Sequence, residues 1–156
     1  MRNRILRAAV LAAVSIAAAH AAAAPRTLSF RVNAACTCAE CSFEANRVLP
    51  RFDGVRKVSL SVKDRRLDVV FEEGKRPLSE LALQVSKLDM GQGSVLLWPA
   101  DEDADRAAGA LARVPGVRSA RADAKAHAVA LTFSRSPAVA LAQLDAAAKG
   151  VAHASS

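Results

Sequence analysis

The sequence predicts an α+β fold made of a β-α-β-β-α unit that occurs twice. Three observations predict it: short stretches in which apolar and polar residues alternate, helical stretches between them, and a return of the whole pattern 62 positions downstream.

Leu28, Phe30 and Val32 alternate with Ser29 and Arg31. Val58, Leu60 and Val62 alternate with Ser59 and Ser61, and Leu67, Val69 and Phe71 alternate with Asp68 and Val70. Each stretch predicts a half-buried strand. Between the first two, a helix is predicted from about Cys38 to Leu49. Its apolar positions are Phe43, Ala45, Val48 and Leu49, and Pro50 and Gly54 close it. Pro77 opens a second helix, with Leu78, Leu81, Val85 and Leu88 at helical spacing. Ser94 to Trp98 follows as a short apolar strand.

The pattern then recurs. Gly54-Val55-Arg56 returns as Gly116-Val117-Arg118, Leu49 as Leu111, Lys63 as Lys125, and Leu67, Val69 and Phe71 as Val129, Leu131 and Phe133. Pro77 and Leu81 are matched to Pro137 and Leu141 at an offset of 60, which implies a shorter loop in the second copy. That copy is rich in Ala and has a thinner core. A single strand, Ser94 to Trp98, lies between the copies. It serves as the last strand of the first unit, the first strand of the second, or both.

The amino terminus predicts export. Arg2, Arg4 and Arg7 precede an apolar run from Ala8 to Ala24, which ends in two A-x-A sites, Ala19-His20-Ala21 and Ala21-Ala22-Ala23. A charged start, an apolar middle and a small-residue end describe a cleavable signal peptide over residues 1–23, cut after Ala21 or Ala23. The run is short and weakly apolar for a membrane anchor, so no stable membrane insertion is expected after cleavage. The expected compartment is the periplasm or the medium. Without those three arginines the chain carries 19 basic and 15 acidic residues, a net charge of +4. With five Phe, one Trp and no Tyr, it offers neither the stacking platforms nor the recognition helix that nucleic-acid binding needs.

All three cysteines, Cys36, Cys38 and Cys41, fall within six residues. A disulfide scaffold spreads its cysteines over distant segments, so this cluster points to local metal or redox chemistry. Thr37 and Glu40 have capping-box spacing, which makes Thr37 the expected N-cap and Cys38 the first helical residue. Cys38 and Cys41 then share one helix face at an end whose free N–H groups and dipole favour thiolates. Two convergent thiolates suit a soft ion, Cu(I) or Hg(II), whereas a closed Zn(II) site wants four ligands. Zn(II) or Cd(II) shared between two chains is the lesser alternative.

Ala35-Cys36-Thr37-Cys38-Ala39-Glu40-Cys41, followed by Ala45, Val48, Leu49 and Gly54-Val55, resembles the metal-binding loop of heavy-metal-associated domains, Gly-Met-Thr-Cys-x-x-Cys with apolar helix positions and a later Gly-Val. It is similar to periplasmic mercury-binding proteins and copper chaperones, and departs from the pattern in having Ala35 for Gly and Cys36 for Met. The resemblance covers about residues 28–98 and implies a domain over 26–98, with a degenerate cysteine-free copy over 94–150 and a flexible tail over 151–156. It also implies a ferredoxin-like βαββαβ fold, metal ligation by Cys38 and Cys41, and partners such as a membrane metal transporter or another metal-binding domain. Cys36 is either a buried apolar plug, a third ligand, or half of a disulfide with Cys38 or Cys41. Met90 lies in the loop that, in the family, approaches the metal.

Tracing both units with the ferredoxin-like connections puts the shared strand near the middle of one six-stranded antiparallel sheet, with all four helices on one face. The apolar run Val95-Leu96-Leu97-Trp98 suits such a central strand. The alternative is two separate four-stranded domains, with 150–154 as a final strand. In the second copy Ala100 and Asp103 align with Cys38 and Cys41. Asp101, Glu102, Asp103 and Asp105 there read as helix-dipole complementation rather than a hard-cation site. His127 and His153 read as bystanders, and Trp98 as core or interface. The predicted function is soft-metal binding for transfer or sequestration, not enzymatic turnover. A thiol-disulfide redox protein using the same C-x-x-C, or a structural module with an inert disulfide, are the alternatives.

Overall fold

The computed structural model describes residues 24–32, 39–74, 76–88, 94–100 and 103–152, with the backbone alone at 39–43, 151 and 152. The alternating stretches form the strands β1 (Arg26–Arg31), β2 (Val55–Ser61) and β3 (Arg66–Phe71), and the apolar run forms β4 (Val95–Pro99). Helix α1 (Ala39–Val48) runs into a 3-10 turn at Leu49–Arg51, where Pro50 cannot donate to a continuing α-helix. Pro77 caps α2 (Leu78–Lys87). The second copy supplies α3 (Ala104–Leu111), β5 (Val117–Asp123), β6 (Ala128–Phe133) and α4 (Leu141–Ala152).

The strands form one antiparallel sheet in the order β2-β3-β1-β4-β6-β5. Strand β4 pairs with β1 on one side, Phe30 opposite Leu96, and with β6 on the other, Leu96 opposite Leu131. It is the shared strand the sequence implies, and the two-domain alternative is excluded. The order contains more than the sequence reading did. In the first unit β4 occupies the last-strand position beside β1; in the second, where β4 is the first strand, β1 occupies the corresponding position. Each unit therefore closes the other about a pseudo-twofold axis between β1 and β4.

Leu28, Phe30, Leu67, Val69, Phe71, Leu96, Trp98, Val129, Leu131 and Phe133 face one core, with Ala45, Leu81, Val85, Ala108, Leu111 and Leu144 from the four helices. All helices thus cover one sheet face. The other carries Thr27, Ser29, Arg31, Arg66 and Asp68, exposed or half-buried. Helix α1 packs on β2, α2 on β4 and β6, α3 on β5 and β6, and α4 on α3.

The duplication extends to unusual backbone conformations. Gly54 and Gly116 have φ of 94° and 97°, and Arg65 and His127 have φ of 51° and 46°. Register shifts fall at Val55/Lys57 and again at Val117/Ser119. These pairs recur at the offset of 62. The helices after them do not follow the offset of 60 expected from Pro77 and Pro137. Helix α2 starts at Leu78 and α4 at Leu141, so the connection 134–140 is one residue longer than 72–77, not shorter. The core confirms the shift: Leu78 and Leu81 correspond to Leu141 and Leu144, and Pro137 lies in the preceding loop.

Two boundaries also differ. The alternation puts Val62 in the second strand, but β2 ends at Ser61 and Val62 is 47% exposed. Ser61 opposes Arg66, and the Val62 carbonyl accepts from the Arg65 N–H, so the turn removes Val62 from the ladder. Val151 and Ala152, expected in the tail, continue α4.

Adjacent strands rotate by roughly 20–25° each, so the sheet's corners move out of plane. On the helical face, the corner after β3 meets the corner after β6. The Glu73 carboxylate accepts from the backbone N–H of Leu78 at 2.9 Å and from that of Leu141 at 2.9 and 3.0 Å. Ser79 and Val139 exchange two further bonds there, the Ser79 N–H donating at 3.1 Å and the Val139 N–H donating to Ser79 Oγ at 2.9 Å. On the bare face the opposite corners, the β2–β3 and β5–β6 hairpin tips, approach each other instead.

Candidate metal centre

The cysteine motif lies at the junction of β1 and α1. Strand β1 is held on both sides, and the last described residue before the junction, Val32, is buried and donates its N–H to the Arg65 carbonyl at 3.0 Å. The chain is next described at Ala39, the first residue of α1. Cys36 and Cys38 lie outside the described residues, as does Thr37 of the expected capping box. The backbone of Cys41 lies in the first turn of α1. Ala45 and Leu49, both fully buried, fix this helix to the core, while Glu44 and Arg47 pair on its outer side at 3.0 Å.

A second connection leaves the same end of the sheet. Leu88 is buried after α2, and β4 begins with Val95 opposite Arg31. The segment between them, 89–93, which includes Met90, lies outside the described residues. The segment with Cys36 and Cys38 and the segment with Met90 therefore adjoin neighbouring strands at one sheet end.

The remaining sequence candidates are not brought there. His127 sits in the β5–β6 turn at the other end of the sheet, and His153 lies outside the described residues. Asp103 caps α3, its carboxylate accepting from the Arg106 N–H at 2.9 Å, as helix-dipole complementation requires. Asp105 is exposed in the same turn, and Asp101 and Glu102 lie outside the described residues. Among the described residues no three His, Cys, Asp or Glu side chains are grouped to hold a metal ion. Trp98 is core; the Arg26 guanidinium stands 4.4 Å from its ring centre and reaches Asp145 of α4 at 2.7 Å.

The sequence reading missed a groove on the bare face. It is an open cavity of about 630 Å³ between the two hairpin tips, floored by Ser29, Leu97 and Pro99. Arg31 of β1 crosses it to pair with Asp123 at the end of β5. The Arg31 guanidinium holds the Asp123 carboxyl below the usual aspartate range, against the opposing cost of burial and with help from the Ala126 N–H. The recurrence of Lys63 as Lys125 was the sequence signal for two related tips. Their meeting depends on the sheet's twist.

No protein-family model matches the chain, and no curated protein matches it. Among solved structures, the water-soluble region of the P-type ATPase CopA from Bacillus subtilis is similar, with a TM-score of 0.44 and 18% identity over 83% of this chain and 89% of that one. The fold described above rests on its own strand pairing and not on this likeness. No helix among the described residues is long and apolar enough to cross a membrane.

Proposed function

We propose that this chain binds a soft, thiophilic ion, Cu(I) or Hg(II), through the thiolates of Cys38 and Cys41, and does so outside the cytoplasm to pass the metal on or to sequester it. What supports the reading is the position of Cys41 in the first turn of a core-anchored helix, with Cys38 three residues before it in a Cys-x-x-Cys motif. Cysteines three apart there share a face, and the helix end offers N–H groups and a positive dipole to their negative charge. Soft d¹⁰ ions accept two or three sulfurs without further ligands, which matches a cluster of three cysteines. The Ala-rich, Arg-led amino terminus supports export, and binding without turnover is the role in view. A membrane metal transporter or a second metal-binding domain is the corresponding partner.

The thiol-disulfide alternative uses the same motif. The thioredoxin-like arrangement needs a parallel βαβ framework, whereas every pairing among the described strands is antiparallel. Competition of the reduced protein against a calibrated Cu(I) chelator tests the proposal. Cys38→Ser and Cys41→Ser should each lower the affinity by orders of magnitude, because each removes one of two strong bonds. Unchanged affinity in both variants, or efficient insulin reduction by the wild type, would count against it.

A further inference from the structure

We propose that the groove on the bare sheet face binds a small dianion, a dicarboxylate or a phosphate, between the two hairpin tips. The proposal is independent of what the cysteines bind. The groove is lined by Arg31, Arg65, Arg66 and Lys125, with His127, against two carboxylates, Asp64 and Asp123. Much of this charge is already engaged. Arg31 pairs with Asp123, and Arg66 pairs with Asp68 at 3.1 Å. Asp64 accepts from the Ser61 hydroxyl at 2.7 Å. Arg65 and Lys125 form no ion pair among the described residues, and they come from opposite tips.

These two cations, unpaired among the described residues, line one groove from opposite tips, which suits a ligand with two negative oxygens. The tips are held in place for this. Arg65 and His127 adopt the left-handed conformation at equivalent positions, and the Arg65 carbonyl accepts from the N–H of Val32, just after β1. Across the groove, Ala126 donates its N–H to Asp123 Oδ1 at 3.1 Å while Arg31 holds the same carboxylate. A cavity of about 630 Å³ admits a small molecule. The charged side chains around its open mouth suit a hydrated anion better than an apolar ligand.

The test is an amide-resolved NMR titration of the reduced full chain at fixed ionic strength. The probes are succinate, inorganic phosphate and, as a monovalent control, acetate. Saturable shifts at residues 31, 65 and 125–127 with succinate or phosphate, but not with acetate, are expected; which of the two saturates at lower concentration identifies the source. Arg65→Asn and Lys125→Gln should each weaken binding about tenfold or more, since each removes a charge-assisted contact. Arg65→Lys should largely retain it. Both sites are exposed, and Asn tolerates the left-handed turn, so the fold should survive. Should Arg65→Asn fail to fold, Lys125→Gln alone decides. Linear shifts shared with acetate, or binding unchanged in the variants, would overturn the proposal.

Discussion

Gly116 carries a constraint that no other residue type meets. Its φ is 97°, and a Cβ there would run into the Pro137 carbonyl oxygen and the Val139 side chain. Gly116→Ala should therefore cost about 2 kcal/mol or more. Gly109→Ala, in the exposed middle of α3 with nothing within 4 Å, should instead stabilise by about 0.5–1 kcal/mol. Thermal unfolding of the two variants compares them directly. At Asp123 the sign of a pH effect follows from its lowered folded pKa. A lowered value means the Arg31 pairing stabilises the fold fully above the ordinary aspartate range and is lost as pH falls below it, through the folded value. Asp123→Asn should thus unfold more easily than the wild type near neutral pH, with the difference vanishing in strong acid; a constant difference at all pH values would contradict this. Gly54, Gly116 and Phe71 with Phe133 were legible in the sequence because conformational and packing constraints restrict those positions. Val62 was not, because its apolar side chain continues the strand alternation while the hairpin turn, set by the Ser61–Arg66 register, excludes it. Cys36 was legible as a cysteine but not as a role. X-ray absorption on the loaded, reduced protein should show a three-sulfur shell that drops to two in Cys36→Ala if it is a ligand, and an unchanged two-sulfur shell if it is a plug.

At the scale of elements, the helices and strands of the first unit follow from periodicity and punctuation: Pro50 ends an α-helix, Pro77 starts one, and alternation marks each strand. What joins the units does not follow from either. Glu73 caps α2 five residues ahead of it and α4 sixty-eight residues ahead, a pairing created by the twist of the strands between them. A carboxylate satisfying free N–H groups at two helix starts adds about 1 kcal/mol per cap, helped by both dipoles. Glu73→Ala should therefore lower the urea unfolding free energy by about 2 kcal/mol, and Glu73→Gln, which keeps an acceptor but loses the charge, by less. Equal, negligible losses in both variants would mean the double cap contributes nothing. Of the candidate cysteines, Cys41 alone falls among the described residues. The sequence expectation puts Cys41 in the first helical turn, where its backbone lies in α1, while Cys38 and Met90 fall outside the described residues; that the strands flanking the two segments are neighbours follows from the β1–β4 pairing, which the ferredoxin-like connections imply.

In the whole molecule neither repeat is complete alone. Strand β4 closes the first unit and β1 closes the second, so residues 94–156 in isolation lose the partner of an entire strand edge and much of their core. That fragment should be unfolded by circular dichroism, and the full chain should melt in one transition. Two separated transitions, or a folded fragment, would contradict the mutual closure. The shared strand was countable from the sequence, since one strand lay where two independent domains need two. The reciprocal use of β1 was not, because it concerns which sheet edge the second unit meets. The cysteine-free copy thus has a structural role that needs no metal: it covers the second edge of the β1–β4 strand pair that the cysteine segment follows. The most direct measurement of soft-metal binding by the cysteine pair is native mass spectrometry of the reduced protein purified after expression with Cu(I) or Hg(II) available. One metal ion per chain is expected, absent from the Cys38→Ser, Cys41→Ser double variant; a metal-free wild type, or equal loading of the double variant, would contradict binding by this pair.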